Sequence, residues 1–266
     1  MNSNELMALL VTALAGLSTG IGSGMAFFMK KTNKTFLAIS LGFSAGVMIY
    51  VSFMEIIPKA EESLAQATSA DNATWYTYLA FFGGIMLILL IDKLIPSFEN
   101  PHEPHKIEQI TEEEKEKQSL YRMGILTALA IAIHNFPEGM ATFSAYIADP
   151  LLGVPIAIAI AIHNIPEGIA VSVPIYYSTG SRVKAFWLSF LSGISEPVGA
   201  IIGFGLLKAF FTEYTFGILF AAVAGVMVFV SVDELLPTAR EYDLGHKAIY
   251  AIVAGMAVMG FSLLML

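Results

Sequence analysis

Long apolar stretches alternate with short polar connections along the whole chain. At about 20 residues per bilayer crossing, the stretches 5–29, 35–57, 75–95, 121–147, 152–176, 184–208, 215–237 and 246–266 predict eight membrane-spanning helices. None shows the dyad alternation of a membrane barrel strand. Hydrocarbon offers the backbone no water, so its hydrogen bonds have to close inside helices. The expected fold class is an all-α polytopic membrane protein. The only long polar connection is 97–119, rich in Glu, Lys and Pro, which reads as a flexible loop. It separates the first three spans from the rest without forming a second domain, so 1–266 is expected to be a single transmembrane domain.

Composition agrees with this picture: of 266 residues 56% are hydrophobic and 14% charged, and a water-soluble core is not expected. The first Lys comes at position 30, so the N-terminus lacks the basic region of a signal peptide and reads as a retained span. With the N-terminus outside, Lys30, Lys31, Lys34, Lys93, Lys106, Lys115, Lys117, Arg122, Arg182, Lys184, Arg240 and Lys247 all fall on the cytoplasmic side, against Lys59 and Lys208 outside. The positive-inside bias therefore predicts both termini outside and the acidic 97–119 loop in the cytoplasm. The formal charge of −8 lies mostly in loops and describes their solvation. With no cysteine, disulfides and thiolate metal sites are excluded, which argues against soft Cu(I) chemistry. The 13 Met read as gap-fillers in apolar segments.

Internal repeats organise the spans. Residues 130–141 and 159–170 match at ten of twelve positions, making spans four and five twins. Residues 44–62 and 223–241, offset by 179, match at ten of nineteen and link span two to span seven. A weaker echo joins Leu14-Ala15-Gly16-Leu17-Ser18 to Leu191-Ser192-Gly193-Ile194-Ser195, linking spans one and six. Partners stand an odd number of spans apart, which inverts their direction. The chain thus reads as three spans, a central inverted pair and three spans again. Inverted repeats of this kind characterise secondary transporters, whose sites lie near the midplane at the repeat interface.

The chemistry sits on the central pair, in His134-Asn135-Phe136-Pro137-Glu138-Gly139 and His163-Asn164-Ile165-Pro166-Glu167-Gly168. A carboxylate at the centre of a spanning helix costs roughly 2.5–3.5 kcal/mol on insertion scales, and a divalent cation would offset both. In each hexapeptide the His and Glu are four residues apart, on one helical face. Pro137 and Pro166 lack an N–H and are expected to free the carbonyls of Ile133 and Ile162, kinking each helix. Two such helices would offer two imidazoles, two carboxylates and the amide oxygens of Asn135 and Asn164 to one small volume. Imidazole with carboxylate suits Zn(II), Fe(II), Mn(II) or Co(II). Interhelical hydrogen bonding is the competing explanation of the two Asn.

Glu196, in Ser195-Glu196-Pro197, is a third acid at mid-depth and a candidate ligand or gate. Glu55 and Glu234 occupy equivalent repeat positions, three residues before Pro58 and Pro237, at opposite membrane faces, and are candidate outer and inner carboxylates of a pathway. Gly16, Gly20, Gly24, Gly42, Gly46, Gly199 and Gly203, spaced by four, are expected to let helices pack closely. Asp92 and Asp149 read as solvated edges. His102 and His105 could receive metal in the loop.

These residues resemble the ZIP family of divalent metal transporters, most closely its bacterial ZupT-type branch, over essentially the whole chain. The resemblance implies one metal held by His134, Glu138, His163 and Glu167, and a second held by Asn135, Asn164 and Glu196, with Glu138 and Glu167 bridging. It implies uptake of Zn(II), with breadth to Fe(II), Mn(II), Co(II) and Cd(II), into the cytoplasm by alternating access, in a homodimer embedded in the plasma membrane lipid bilayer. No prosthetic group, nucleic acid or catalysis is expected; the metal is cargo. The chain departs from His-rich relatives in having only His102 and His105 in its loop. Two other readings of the residues are an intramembrane metal-dependent hydrolase, with a zinc-bound water and Glu138 or Glu167 as base, and a passive metal channel. The absence of H-E-x-x-H and the duplication of the whole site speak against the hydrolase.

Overall fold

A computed structural model of the chain describes residues 3–28, 33–94, 112–148, 150–203, 212–243 and 245–265. Among these residues the secondary structure is helical, with no strand. The long helices are α1 (Ser3–Phe27), α2 (Lys34–Ala67), α3 (Ala70–Leu94), α4 (Glu112–Ala148), α5 (Pro150–Thr179), α6 (Arg182–Ile202), α7 (Glu213–Glu241) and α8 (Lys247–Leu264). Among the described residues seven helices are long and apolar enough to cross a membrane. α4, at 37 residues, is not among them, because its polar hexapeptide and Gly- and Thr-containing flanks dilute its apolar stretch.

Large side chains face outward in stripes at helical spacing. Trp75, Leu79, Phe82, Met86 and Leu90 are exposed on α3, and Tyr250, Val253, Phe261 and Leu264 on α8. Exposed apolar area on this scale marks a surface made for a nonpolar partner, and with the seven apolar helices it identifies a membrane protein. The interior is built from Leu37, Leu41, Met48, Leu126, Ile131, Ile175, Met227, Leu235 and Met259.

Several helices are longer than their apolar stretches suggest. α2 runs on past residue 57 to Ala67, and the added turns carry charge on one side while burying Ala60 and Leu64 on the other. α4 begins at Glu112, so the 112–119 part of the expected loop is helical, tied by a Lys117–Glu113 pair four residues apart at 2.6 Å. Hydropathy misses such amphipathic extensions because half their residues are polar. Residues 97–111, with His102 and His105, lie outside the described residues, as do Lys30, Lys31, Lys106, Asp149 and Lys208.

α4 and α5 continue as helices through Pro137 and Pro166. On α2 and α7, Ser52–Ile56 and Val230–Leu235 form π turns just before Pro58 and Pro237. A proline lacks the N–H and crowds the carbonyl four residues back, and a slip to the wider i→i+5 register accommodates both. The two π turns carry Glu55 and Glu234.

Helix pairs approach through small residues, and the contacts come in matched sets. A Cβ on Gly139 of α4 would collide with the Glu196 carbonyl of α6, and one on Gly168 of α5 with the Thr19 carbonyl of α1. Likewise Gly46 of α2 lies against Ile252 of α8, and Gly225 of α7 against Phe81 of α3. Gly46 and Gly225 are 179 residues apart, the offset of the sequence repeat. The same contacts relate α3 to α8, a pairing that sequence similarity did not reveal.

Candidate metal centre

α4 and α5 bring the two hexapeptides face to face. His134 Nε2 lies 3.3 Å from Glu138 Oε2 and 3.7 Å from Glu167 Oε1, and His163 Nε2 lies 3.0 Å from Glu138 Oε1. The imidazole centroids are 6.1 Å apart. All four side chains are buried, with Glu138 the most exposed at 9%. Yet these contacts leave the set incomplete: Glu138 Oε2 and both carboxylate oxygens of Glu167 are buried with no hydrogen-bond partner. Leaving such groups unsatisfied costs about 1–3 kcal/mol each, and more when they are charged.

A single divalent cation would answer that deficit. Zn(II) holds nitrogen and oxygen ligands at about 2.1 Å in tetrahedral sites, which sets ligand-to-ligand edges of about 3.4 Å. The observed separations of 3.3 and 3.7 Å bracket this edge. His134, His163 and Glu167 each offer one ligand atom within 4.8 Å of the others. Imidazole and carboxylate donors suit borderline divalent ions, and these side chains are acceptors for a metal when deprotonated.

The remaining sequence candidates form a neighbouring group. Asn164 Nδ2 donates to the Ala15 carbonyl at 3.0 Å and to Glu196 Oε1. Asn135 Nδ2 donates to the Ser192 carbonyl at 3.3 Å. Both Asn side-chain oxygens and Glu196 Oε2 are buried without partners. Each Asn therefore uses its amide hydrogens to brace helices and leaves its oxygen available, so interhelical bonding and ligation do not compete for the same atom. Ala15 and Ser192 are themselves equivalent in the echo between spans one and six, so the braces repeat the pairing.

Two residues were not singled out from the sequence. Thr19 is equivalent to Glu196, and its Oγ1 is also buried and unpartnered; extending the Leu14–Ser18 echo by one residue would have pointed to it. Lys59, noted there only for its charge, lies with Glu55, Glu62, Phe216 and Phe220 on a cavity of about 280 Å³ whose wall includes Glu138. Glu55 is thus connected to the hexapeptide site by open space. Ser44 Oγ donates to the Pro166 carbonyl at 2.8 Å, and Ser189 Oγ to the Gly168 carbonyl at 2.8 Å, which anchors the second hexapeptide from α2 and α6.

Comparison with known proteins follows the same lines. The model of the ZIP zinc transporter family matches residues 5–263. A zinc transporter ZupT of Streptococcus mutans is 59% identical over 265 residues, covering 100% of this chain and 99% of the relative. The zinc transporter ZupT of Clostridium perfringens is 57% identical over 276 residues, covering 99% and 97%, and that of Chlorobium luteolum is 58% identical over 264 residues, covering 99% of each.

Proposed function

The chain belongs to the ZIP zinc transporter family, and we propose that it carries Zn(II) across the plasma membrane into the cytoplasm by alternating access. It is a transporter and not an enzyme. The observation that carries the proposal is the buried set of imidazole nitrogens and carboxylate oxygens, 3.0–3.7 Å apart on two twin helices, in which Glu138 Oε2 and both Glu167 oxygens have no hydrogen-bond partner.

In this reading His134, Glu138, His163 and Glu167 hold one metal. Asn135, Asn164 and Glu196 hold a second, with Glu138 and Glu167 bridging. The unpartnered oxygens of Asn135, Asn164 and Glu196 support the second position. Fe(II), Mn(II), Co(II) and Cd(II) are further cargo, since the donor set does not single out zinc. The chain is arranged as eight spans in a 3+2+3 inverted repeat, supported by the matched contacts of α4 with α6 and α5 with α1, and of α2 with α8 and α7 with α3. Both termini face outside, the 97–119 connection is cytoplasmic, 1–266 forms one transporter domain, and the assembly is a homodimer. The cavity between Lys59 and Glu138 is then the outer approach to the site.

Metal uptake into proteoliposomes tests the site. Glu138→Ala and His163→Ala are expected to abolish saturable Zn(II) uptake, and Glu196→Ala to reduce it. Uptake at the wild-type rate in the first two variants would refute the assignment. Competition by Fe, Mn, Co and Cd in the same preparation measures breadth, and saturation with counter-side competition separates a carrier from a channel.

A further inference from the structure

Glu55 and Lys59 stand one turn apart on α2, and Lys59 Nζ lies 2.7 Å from Glu55 Oε1. The Glu55 side chain is 13% exposed and that of Lys59 47%. The ammonium therefore lies on the water side of a largely buried carboxylate. The other oxygen, Glu55 Oε2, is buried with no hydrogen-bond partner. Both residues line the cavity that reaches Glu138, a nine-tenths-buried carboxylate whose Oε2 is likewise unpartnered. A cation moving from water towards Glu138 through this cavity passes Glu55, and meets Lys59 there.

The repeat makes the lysine informative. Glu55 has Glu234 at its equivalent position on α7, and both sit in π turns. Lys59 has Thr238 at its equivalent position. The scaffold thus accepts an uncharged side chain at this point, and the ammonium belongs to one mouth of the repeat. A monovalent ion exchanging with Lys59 on Glu55 gains no Coulomb energy over the ammonium it displaces, whereas a divalent ion doubles the attraction.

We infer that Glu55 is an outer cation subsite held by the tethered ammonium of Lys59, which a divalent ion has to displace on its way to Glu138, so that Lys59 sets the apparent affinity for metal at this mouth. The inference rests on the proposed transport route through Glu138. Lys59 is a specificity-determining residue here and touches no metal at the central site.

Initial-rate Zn(II) uptake into proteoliposomes holding the full chain tests it, with wild type, Lys59→Met, Lys59→Arg and Glu138→Ala prepared together. Lys59→Met is expected to lower the KM for Zn(II) about two- to fivefold at low ionic strength, the range of an exposed ion pair, with the maximal rate of wild type. The difference should shrink at about 1 M salt, where the screening length is about 3 Å. Lys59→Arg keeps the charge and should keep the wild-type KM. A wild-type KM in Lys59→Met, or an equal fall in Lys59→Arg, would overturn the inference. Glu138→Ala separates the two levels: loss of uptake there with a wild-type KM in Lys59→Met removes the lysine's role alone, while uptake by Glu138→Ala removes the central route.

Discussion

Gly139→Ala tests whether the close approach of α4 and α6 holds the candidate metal site together. The new Cβ would collide with the Glu196 carbonyl oxygen and lie against the Glu196 Cα. Both are helix backbone and cannot swing away, so the helices have to separate by on the order of 1 Å to recover normal van der Waals distances. Overpacking of this kind costs about 1–3 kcal/mol. The same movement stretches the bond from Asn135 to the Ser192 carbonyl, which at 3.3 Å is already long, beyond hydrogen-bond reach. A lost hydrogen bond between buried groups adds about 1 kcal/mol, for a total of roughly 2–4 kcal/mol. Gly24→Ala and Gly83→Ala are the controls, since a Cβ at either position meets nothing within 4 Å, and the helical preference for Ala over Gly makes them neutral or slightly stabilising. Reversible unfolding in mixed micelles measures the stability difference, and Zn(II) uptake at equal reconstitution measures function. Gly139→Ala should be destabilised and transport poorly, and Gly168→Ala should behave alike because it meets the Thr19 carbonyl. A Gly139→Ala protein as stable as the Gly83→Ala control would refute the argument.

Other perturbations follow from the same contacts. Ser44→Ala removes a buried hydroxyl bonded to the Pro166 carbonyl and should cost about 1 kcal/mol in the same unfolding assay, with reduced uptake because the second hexapeptide loses its anchor to α2. Adding Zn(II) at about 100 times its dissociation constant should stabilise the protein by about 2.7 kcal/mol; EDTA should reverse this, and His134→Ala should show neither effect in thermal melts. On the face bearing the N-terminus of α4, hydrogen bonds from Tyr242 and then Lys34 hold the Glu116 carboxyl below its ordinary range. A carboxyl lowered in the folded state contributes stability above its ordinary pKa of about 4.3 that is lost as pH falls through the folded value. Glu116 is a third exposed, so solvent screening limits the effect to about 0.5 kcal/mol: Glu116→Gln should be slightly less stable than wild type at pH 7, with the difference shrinking as pH falls below about 4.

Much of the site was legible in the residues because its signals are local. A His and a Glu four apart in an apolar helix have few explanations, and a duplicate with the same Asn and Pro leaves fewer. The placement of Glu55 and Glu234 before prolines was also visible. The change of helical register was not: Ser52–Ile56 and Val230–Leu235 take π turns before Pro58 and Pro237, a backbone response that the residue types alone do not specify. The amphipathic ends of α2 and α4 escaped for a related reason, since a helix leaving the apolar layer needs only one nonpolar side.

Polarity and periodicity along the chain were enough for the all-helical membrane class, the twin hexapeptides, the oxygen-and-nitrogen donor set and two of the three outer repeat pairings. These are properties of residues a few positions apart. The distances among His134, Glu138, His163 and Glu167, the division of labour within Asn135 and Asn164, the pairing of α3 with α8 and the joining of Lys59, Glu55 and Glu138 along one cavity came with the packing. They depend on how closely separate helices approach, and that is set where the backbone of one lies against a glycine of another.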